Sequence, residues 1–76
     1  MKMKRTEYNT SIDALIAVSK RLSLFEERYH TTSEEFFHRY ASGQTEDSVD
    51  CVEWANDYQH FLAIRAELEN GLRHVA

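Results

Sequence analysis

An apolar pattern with helical spacing, uninterrupted by proline, constrains this sequence more than any other feature. In residues 10–29 the apolar side chains recur every three or four positions, as on one face of an α-helix; they are Leu15, Val18, Leu22, Phe25 and Tyr29. Ile12 and Ile16 would widen this face. No segment alternates in the way a half-buried strand does. The sequence therefore predicts an all-α fold.

Capping residues predict where the first two helices begin. Thr10 is a suitable N-cap for a first helix over residues 10–29. Thr32 and Glu35 form a capping box, T-x-x-E, for a short helix over residues 33–41. We therefore expect one long and one short helix in the first half of the chain.

A third and longer helix is predicted over residues 46–72. Gly43 suits the end of the preceding helix, and Thr45 is the expected N-cap of this one. Its apolar seam is heptad-like and consists of Cys51, Trp54, Tyr58, Phe61, Leu68 and Leu72. Arg65 interrupts the seam, and three further residues would broaden it, namely Val52, Ala55 and Leu62.

These helices predict an antiparallel hairpin of two long helices, with the short helix as part of the connection. Residues 10–76 would form a single helical domain, and residues 1–9 a flexible basic N-terminal arm. A 76-residue chain buries little surface, and its one cysteine, Cys51, allows no intrachain disulfide. We therefore expect a homodimer, in which two hairpins pair into a four-helix bundle.

The charge and hydropathy of the chain argue against nucleic acid and membranes as binding partners. Its 13 acidic and 9 basic side chains leave a net charge of −4, which argues against a broad nucleic-acid surface. Only Lys2, Lys4 and Arg5 could touch phosphates, and weakly. No apolar run is long enough for a signal peptide or a membrane span, and a lone thiol fits a reducing compartment. We expect a cytoplasmic protein without membrane contact.

Three histidines follow an acidic residue by three positions, a spacing that di-metal helical bundles use; the pairs are Glu27–His30, Glu35–His38 and Asp57–His60. The first pair lies away from the apolar face of its helix, and the last flanks the third-helix seam. A buried metal pair needs its ligands inside the bundle. We therefore predict no metal and no other cofactor.

Four acidic residues spaced 4, 3 and 4 form a predicted stripe on the third helix; they are Glu46, Asp50, Glu53 and Asp57. Asp50-x-x-Glu53 resembles the magnesium motif of helical pyrophosphohydrolases, with Glu26 and Glu27 as its opposing pair. No Lys/Arg cluster is placed to receive phosphates, however. A solvated face, a contact surface for a basic protein and a magnesium site all remain open interpretations.

The remaining chemistry favours binding over catalysis. Cys51 falls on the apolar seam, where a thiol is buried and inert, so nucleophilic catalysis is not predicted. A nine-residue helix cannot bury Phe36, Phe37 and Tyr40 together against one hairpin face. We expect one of these rings to project as an anchor for a partner, because aromatic side chains dominate interface hot spots. The sequence does not say whether Phe36 or Phe37 turns inward.

The order of four segments resembles the TumA-like antitoxins, small bacterial proteins encoded beside a toxin. The segments are FEERYH at 25–30, TTSEEFFHRY at 31–40, SGQTEDSVD at 42–50 and CVEWANDY at 51–58. The likeness covers roughly residues 12–70. Two positions depart from the pattern: His30 replaces the usual glycine, and Cys51 replaces a larger apolar residue.

The resemblance implies a non-enzymatic antitoxin that binds and neutralises a toxin protein, whose activity the sequence does not identify. The residues predicted to make contact are Phe37, Arg39, Tyr40, Glu46, Asp50, Glu53 and Asp57. Reversing the four acidic residues to Lys is expected to abolish neutralisation without unfolding the domain. The alternative is a small helical metal-dependent enzyme, which would need carboxylates from two helices converging in one concavity. No helix-turn-helix is evident, so operator binding is not expected.

Overall fold

The computed structural model describes the backbone of residues 10–75 and the side chains of residues 10–71. Three helices and no strand occur in this part of the chain: α1 (Ser11–Tyr29), α2 (Ser33–Ala41) and α3 (Val49–Val75). The all-α prediction is confirmed. No helix of the described part is long and apolar enough to cross a membrane. The predicted basic arm, residues 1–9, lies outside the described residues.

The predicted caps of α1 and α2 are confirmed. Thr10 has an extended backbone, and its hydroxyl accepts a hydrogen bond from the Asp13 backbone N–H at 3.0 Å. Thr32 does the same for the Glu35 backbone N–H at 3.1 Å. Each hydroxyl satisfies one N–H that has no acceptor within its own helix, which defines where the helix begins.

The start of α3 differs from the prediction. Glu46 does not begin the helix and Thr45 does not cap it; α3 begins at Val49. The Ser48 hydroxyl accepts a hydrogen bond from the Cys51 backbone N–H at 3.1 Å and so takes the capping role. Two hydroxyl residues three positions apart are equally good caps locally. The longer connection, with Gly43 at φ 75°, decides between them, because the chain must turn away from α2 before α3 can pack.

His30 closes α1 in a left-handed conformation, with φ 54° and ψ 45°. Its backbone N–H donates to the Glu26 carbonyl, and the Thr31 N–H donates to the same oxygen at 3.3 Å. Glycine is the usual residue at such a position, because a Cβ there crowds the backbone. The position where this chain departs from the TumA-like pattern is therefore one where the backbone favours glycine.

Replacing His30 by glycine is expected to raise the free energy of unfolding by about 1 kcal/mol, since it removes the steric cost of the left-handed conformation. Urea denaturation of the two proteins measures the change. His30→Ala is the matched control, because it removes the imidazole and keeps the Cβ. Equal stabilisation by both substitutions would show that the imidazole, and not the backbone conformation, carries the cost.

Helices α1 and α3 lie side by side, and their contacts run in reverse sequence order. The side chains that join them are Ser11 to Glu67 at 3.0 Å, Arg21 to Asp57 at 3.1 Å and Arg28 to Asp50 at 2.9 Å. Helix α2 packs across the end of this pair where α1 finishes and α3 begins, with Phe36 against Trp54 and Phe37 against Tyr58.

Tertiary packing settles which aromatic ring of α2 points inward. The Phe36 ring is 3% exposed and stacks on Trp54, with centroids 3.9 Å apart and planes within 1°. Phe25 and Tyr29 of α1 also stack on Trp54, at 5.4 and 5.6 Å. Phe37 is half-buried beside Tyr58, at 5.3 Å. The centre of the fold is thus one aromatic stack to which all three helices contribute.

The buried core is smaller than the apolar pattern predicts. Its apolar members in the described part are Val18, Leu22, Phe36, Trp54, Ala55 and Ile64. Ile12 and Ile16, expected to widen the apolar face of α1, are 56% and 50% exposed, and Val52 is also exposed. Helix α2 is too short to reach the first two turns of α1, so nothing in the described chain covers the two isoleucines.

The residues that α3 buries differ slightly from those of the predicted heptad. Ile64, absent from the predicted seam, is buried, whereas the adjacent Arg65 is exposed and its guanidinium lies 5.8 Å from the centre of the Phe61 ring. Ile64 lies two turns after Asp57, which is bonded to α1, so the buried face of α3 extends further toward α1 than the predicted heptad. The side chain of Leu72, the last predicted seam residue, lies outside the described residues.

Candidate functional site

Two hydrogen bonds that meet at Ser33 of α2 connect this helix to both α1 and α3. The Ser33 backbone N–H donates to Glu26 Oε2 at 2.8 Å, and the Trp54 Nε1–H donates to the Ser33 hydroxyl at 2.8 Å. Ser33 is 3% exposed. The sequence pattern indicates no such role for Ser33, and it suggests Glu26 only as a magnesium ligand. A capping box places Ser33 at the first position of a helix, but nothing local shows that a tryptophan lies above it.

The first concavity, which we call the loop groove, lies between α2, the 42–48 connection and the start of α3. Phe36 and Trp54 line its floor, and Arg39, Glu46, Val49 and Asp50 line its sides. Val49 is 71% exposed. In the described part of the chain neither Arg39 nor Glu46 has an ion-pair partner. The loop groove therefore has a rim of exposed charges of both signs, without ion-pair partners among the described residues, above aromatic rings that are almost fully buried.

The second concavity, which we call the side groove, runs between α1 and α3. Its lining residues are Arg21, Leu24, Phe25, Arg28, Asp50, Glu53 and Asp57. Two ion pairs cross it, one at each end, and they connect Arg28 to Asp50 and Arg21 to Asp57. Glu53 lies between them and has no ion-pair partner among the described residues. Leu24, on the opposite helix, is 64% exposed.

Asp50 belongs to both grooves and is the most heavily bonded acid of the site. The Tyr29 hydroxyl and the Arg28 guanidinium both donate to its Oδ2 atom. The Tyr29 hydrogen bond, assisted by Arg28, holds the pKa of Asp50 below its usual value although partial burial opposes the change. The same hydrogen bond raises the pKa of Tyr29, because it favours the protonated phenol. The hydrogen bond to Asp50 likewise raises the pKa of Arg28.

The lowered pKa of Asp50 predicts an acid-sensitive contribution to stability. A carboxyl group whose pKa falls on folding stabilises the fold above its ordinary value of 3.8, and this contribution disappears as the pH falls through the lower, folded value. Wild type should therefore be more stable than Asp50→Asn at pH 7, and this difference should shrink below about pH 4. Urea midpoints between pH 7 and pH 3 measure it.

Glu53→Gln is the matched control for this titration, because Glu53 lines the same groove without an ion-pair partner in the described chain. At pH 7 its stability should differ little from that of wild type, because no ion pair of the described chain is lost. An Asp50→Asn difference that stays constant down to pH 3 would contradict the assignment.

The raised pKa of Tyr29 predicts the opposite pH dependence of stability at alkaline pH. The stability that this phenol contributes is lost as the pH rises above its ordinary pKa of 10.0 and through the higher, folded value.

The seven residues predicted to contact a partner fall on two sides of the molecule. Arg39, Glu46 and Asp50 line the loop groove, and Asp50, Glu53 and Asp57 line the side groove. Phe37 and Tyr40 are half-buried and stack with each other at 6.2 Å on the side of α2 that faces Tyr58. Five of the seven predicted residues therefore line the two grooves, whereas Phe37 and Tyr40 line neither of them.

The predicted acidic stripe is not one continuous free surface. Glu46 precedes α3, so the helical spacing does not apply to it. Asp50 and Asp57 are half-buried and bonded to α1. Reversing them to Lys would bring like charges together between α1 and α3. The structure therefore does not support the expectation that all four acids could be reversed without affecting stability, and only Glu46 and Glu53 are suited to that test.

The acid–histidine pairs do not converge. Among the residues whose side chains are described, no group of three His, Cys, Asp or Glu is placed to hold a metal ion. Cys51 is a free, half-buried thiol at the edge of the loop groove, so it is less buried than the seam pattern predicts. The geometry is that of grooves lined with aromatic and charged side chains.

Comparisons with known proteins identify no relative: the chain matches no protein-family model, no curated protein and no solved structure. The likeness to TumA-like antitoxins therefore depends on the sequence segments alone.

Proposed function

We propose that this protein is a helical antitoxin that binds and neutralises a toxin protein, without enzymatic activity of its own. One observation carries the proposal: the loop groove opens between the exposed charges of Arg39 and Glu46, which have no ion-pair partner among the described residues, above the buried rings of Phe36 and Trp54. An apolar recess with a polar rim is the usual anatomy of a binding hot spot. The order of the TumA-like segments supports the same assignment.

The loop groove suits an apolar side chain of the partner. Trp54 is 2% exposed and is held by Phe36, Phe25 and the Ser33 hydroxyl, so the base of the groove is already rigid before a partner binds. Val49 extends the apolar surface at the edge of the groove. Arg39 and Glu46 can then form ion pairs at the rim that fix the orientation of the partner.

The side groove suits a Lys or Arg side chain of the partner. Asp50 and Asp57 are already neutralised by Arg28 and Arg21, so Glu53 is the acid of this groove that offers an unpaired charge within the described chain. The exposed Leu24 lies opposite and can cover the aliphatic stem of such a side chain. A net charge of −4 would also speed the approach of a basic partner.

The expected hairpin and its pairing belong to the same proposal. The reversed contact order of α1 and α3 supports an antiparallel hairpin connected through α2. The expected pairing into a four-helix bundle needs a helix face that is uncovered in the described chain; one such face surrounds Ile12 and Ile16, and the solvent side of α3 is another. The alternative, a metal-dependent enzyme, would need a cluster of carboxylate or histidine ligands, and no such group of three occurs among the described residues.

Co-expression with the protein encoded beside it tests the proposal directly. If the chain is an antitoxin, the neighbour should stop growth when expressed alone, growth should be rescued by this protein, and the two should co-purify. A neighbour that is harmless and does not bind would overturn the assignment.

Within that complex, Glu53→Arg is expected to weaken binding by roughly tenfold, since it replaces a favourable charge contact by repulsion without breaking an ion pair of the described fold. Titration calorimetry with the purified partner measures the change. Glu69→Arg is the matched control, because it reverses the same charge on an exposed part of α3 outside both grooves. Equal losses in the two variants would indicate a general charge effect instead of a contact in the side groove.

A further inference from the structure

A line of uncharged side chains runs along the solvent side of α3. This line, which we call the α3 seam, lies on the opposite side of α3 from the predicted apolar seam of Trp54 and Tyr58. It follows a 3-4-3-4-3 spacing and consists of Val49, Val52, Asn56, Gln59, Ala63 and Ala66. All six are exposed. Other exposed positions of α3 carry charges, among them Glu53, Arg65 and Glu67. A spacing of this kind is that of the a and d positions of a coiled coil.

No described helix covers the α3 seam. Helix α1 meets α3 through Asp50 and Asp57, and α2 meets it through Trp54 and Tyr58, all of which lie on the opposite side of α3. Val49 and Val52 are therefore left among the large apolar side chains that remain exposed. Within the described chain the seam lacks both a cover and the charges that normally solvate a free helix face.

We propose that a second copy of this chain docks on the α3 seam, so that the two α3 helices pair in parallel about a two-fold axis. The seam is self-complementary, as such an axis requires. The amides of Asn56 and Gln59 each carry donors and acceptors, so each can hydrogen-bond to its own counterpart across the axis. A polar Asn at an a position is known to set register and a two-stranded state. Ala63 and Ala66 let the backbones approach closely.

Charges beside the seam favour the parallel over the antiparallel arrangement. Glu53, His60 and Glu67 flank it on the side of α1, whereas Ala55 and Leu62 flank it on the side of α2. A parallel pair brings the two different flanks together and sets no like charges opposite each other at these positions. An antiparallel pair centred near Gln59 would place Glu53 of one copy beside Glu67 of the other, which is repulsive.

The α3 seam is longer than the exposed apolar surface formed by Ile12 and Ile16. From Val49 to Ala66 it extends about 26 Å at about 1.5 Å per residue. Ile12 and Ile16, by contrast, occupy a single turn of α1. Because the seam is built of small and polar side chains, we expect a dimer that dissociates on dilution. This inference does not depend on the proposed antitoxin function.

Sedimentation equilibrium of the full chain over a range of concentrations tests the proposal. Wild type should dimerise, and Ala63→Glu should raise the dimer dissociation constant at least tenfold while circular dichroism shows an unchanged helical content. Ile16→Glu is the matched control, since it places the same charge on the competing surface. A monomeric wild type, or a dimer lost in Ile16→Glu and kept in Ala63→Glu, would overturn the proposal.

Cysteine cross-linking tests the orientation. In a Cys51→Ser background, Val52→Cys and Ala63→Cys should each form a disulfide-linked homodimer, because a parallel two-fold places every seam residue beside its own copy. Glu27→Cys, an exposed position on α1, should not. If a mixture of the Val52→Cys and Ala63→Cys proteins links the two different positions in preference to like positions, the pairing is antiparallel and the proposed arrangement is wrong.

Discussion

Truncation of Phe36 to alanine is expected to cause a large loss of stability, about 3–5 kcal/mol. The ring is buried and stacks at 3.9 Å on Trp54, so its loss leaves a cavity at the one point where all three helices meet. Removing a buried phenylalanine typically costs about 3–5 kcal/mol. A 76-residue domain has a total stability of roughly 4–11 kcal/mol, so this loss removes between about a quarter and all of it. Urea and thermal denaturation followed by circular dichroism measure the loss.

Phe37→Ala is the matched control, because the adjacent residue carries the same side chain. Phe37 is only half-buried, with its ring 5.3 Å from Tyr58 and 6.2 Å from Tyr40. Its truncation should cost clearly less than that of Phe36. The opposite order would mean that Phe37 is the inward ring, and the packing of α2 on α3 described above would be incorrect.

Replacing Ser33 by alanine is expected to cost about 1–3 kcal/mol, because it leaves the buried indole N–H of Trp54 without an acceptor. The hydroxyl that accepts this bond, at 2.8 Å, is itself almost fully buried, so water cannot readily replace it. The side chain is small, and little apolar area changes. The measured loss of unfolding free energy therefore reports mainly on the unsatisfied donor.

A double-mutant cycle with Trp54→Phe separates this effect from general disturbance of α2. Phenylalanine carries no N–H, so Ser33→Ala should cost much less in that background. Ser23→Ala, at an exposed serine of α1, is expected to change stability by less than about 0.5 kcal/mol. A cost for Ser33→Ala that is the same in both backgrounds would exclude the Trp54 hydrogen bond as its cause.

Local sequence signals predicted the helices well because caps act over three or four residues. Thr10 and Thr32 meet the backbone N–H groups at the expected positions, and α2 has the predicted bounds. The same signals failed at α3, where Thr45 and Ser48 are both acceptable caps. The choice depends on how far the chain must travel from α2, a length that no local motif contains.

The candidate site was predictable only in part. Composition and spacing indicated that Asp50, Glu53 and Asp57 share one side of α3, and all three line the side groove. The spacing of these acids could not show that Arg21 and Arg28 lie across from two of them, because that pairing joins residues 36 and 22 positions apart. The sequence pattern therefore does not distinguish the three acids. In the fold, Asp50 and Asp57 form ion pairs, whereas Glu53 has no ion-pair partner among the described residues.

By itself, the sequence determined that the chain is helical and where α1 and α2 begin, and it predicted contact in preference to catalysis. These features follow from short-range spacing, capping and charge, which act within a few residues. Tertiary structure alone decided that Phe36 and not Phe37 turns inward, that Ser33 and Glu26 support Trp54, and that Ile12 and Ile16 stay exposed. Such outcomes depend on the rotation of one helix against another and on the short reach of α2, and burial across helices follows from that geometry.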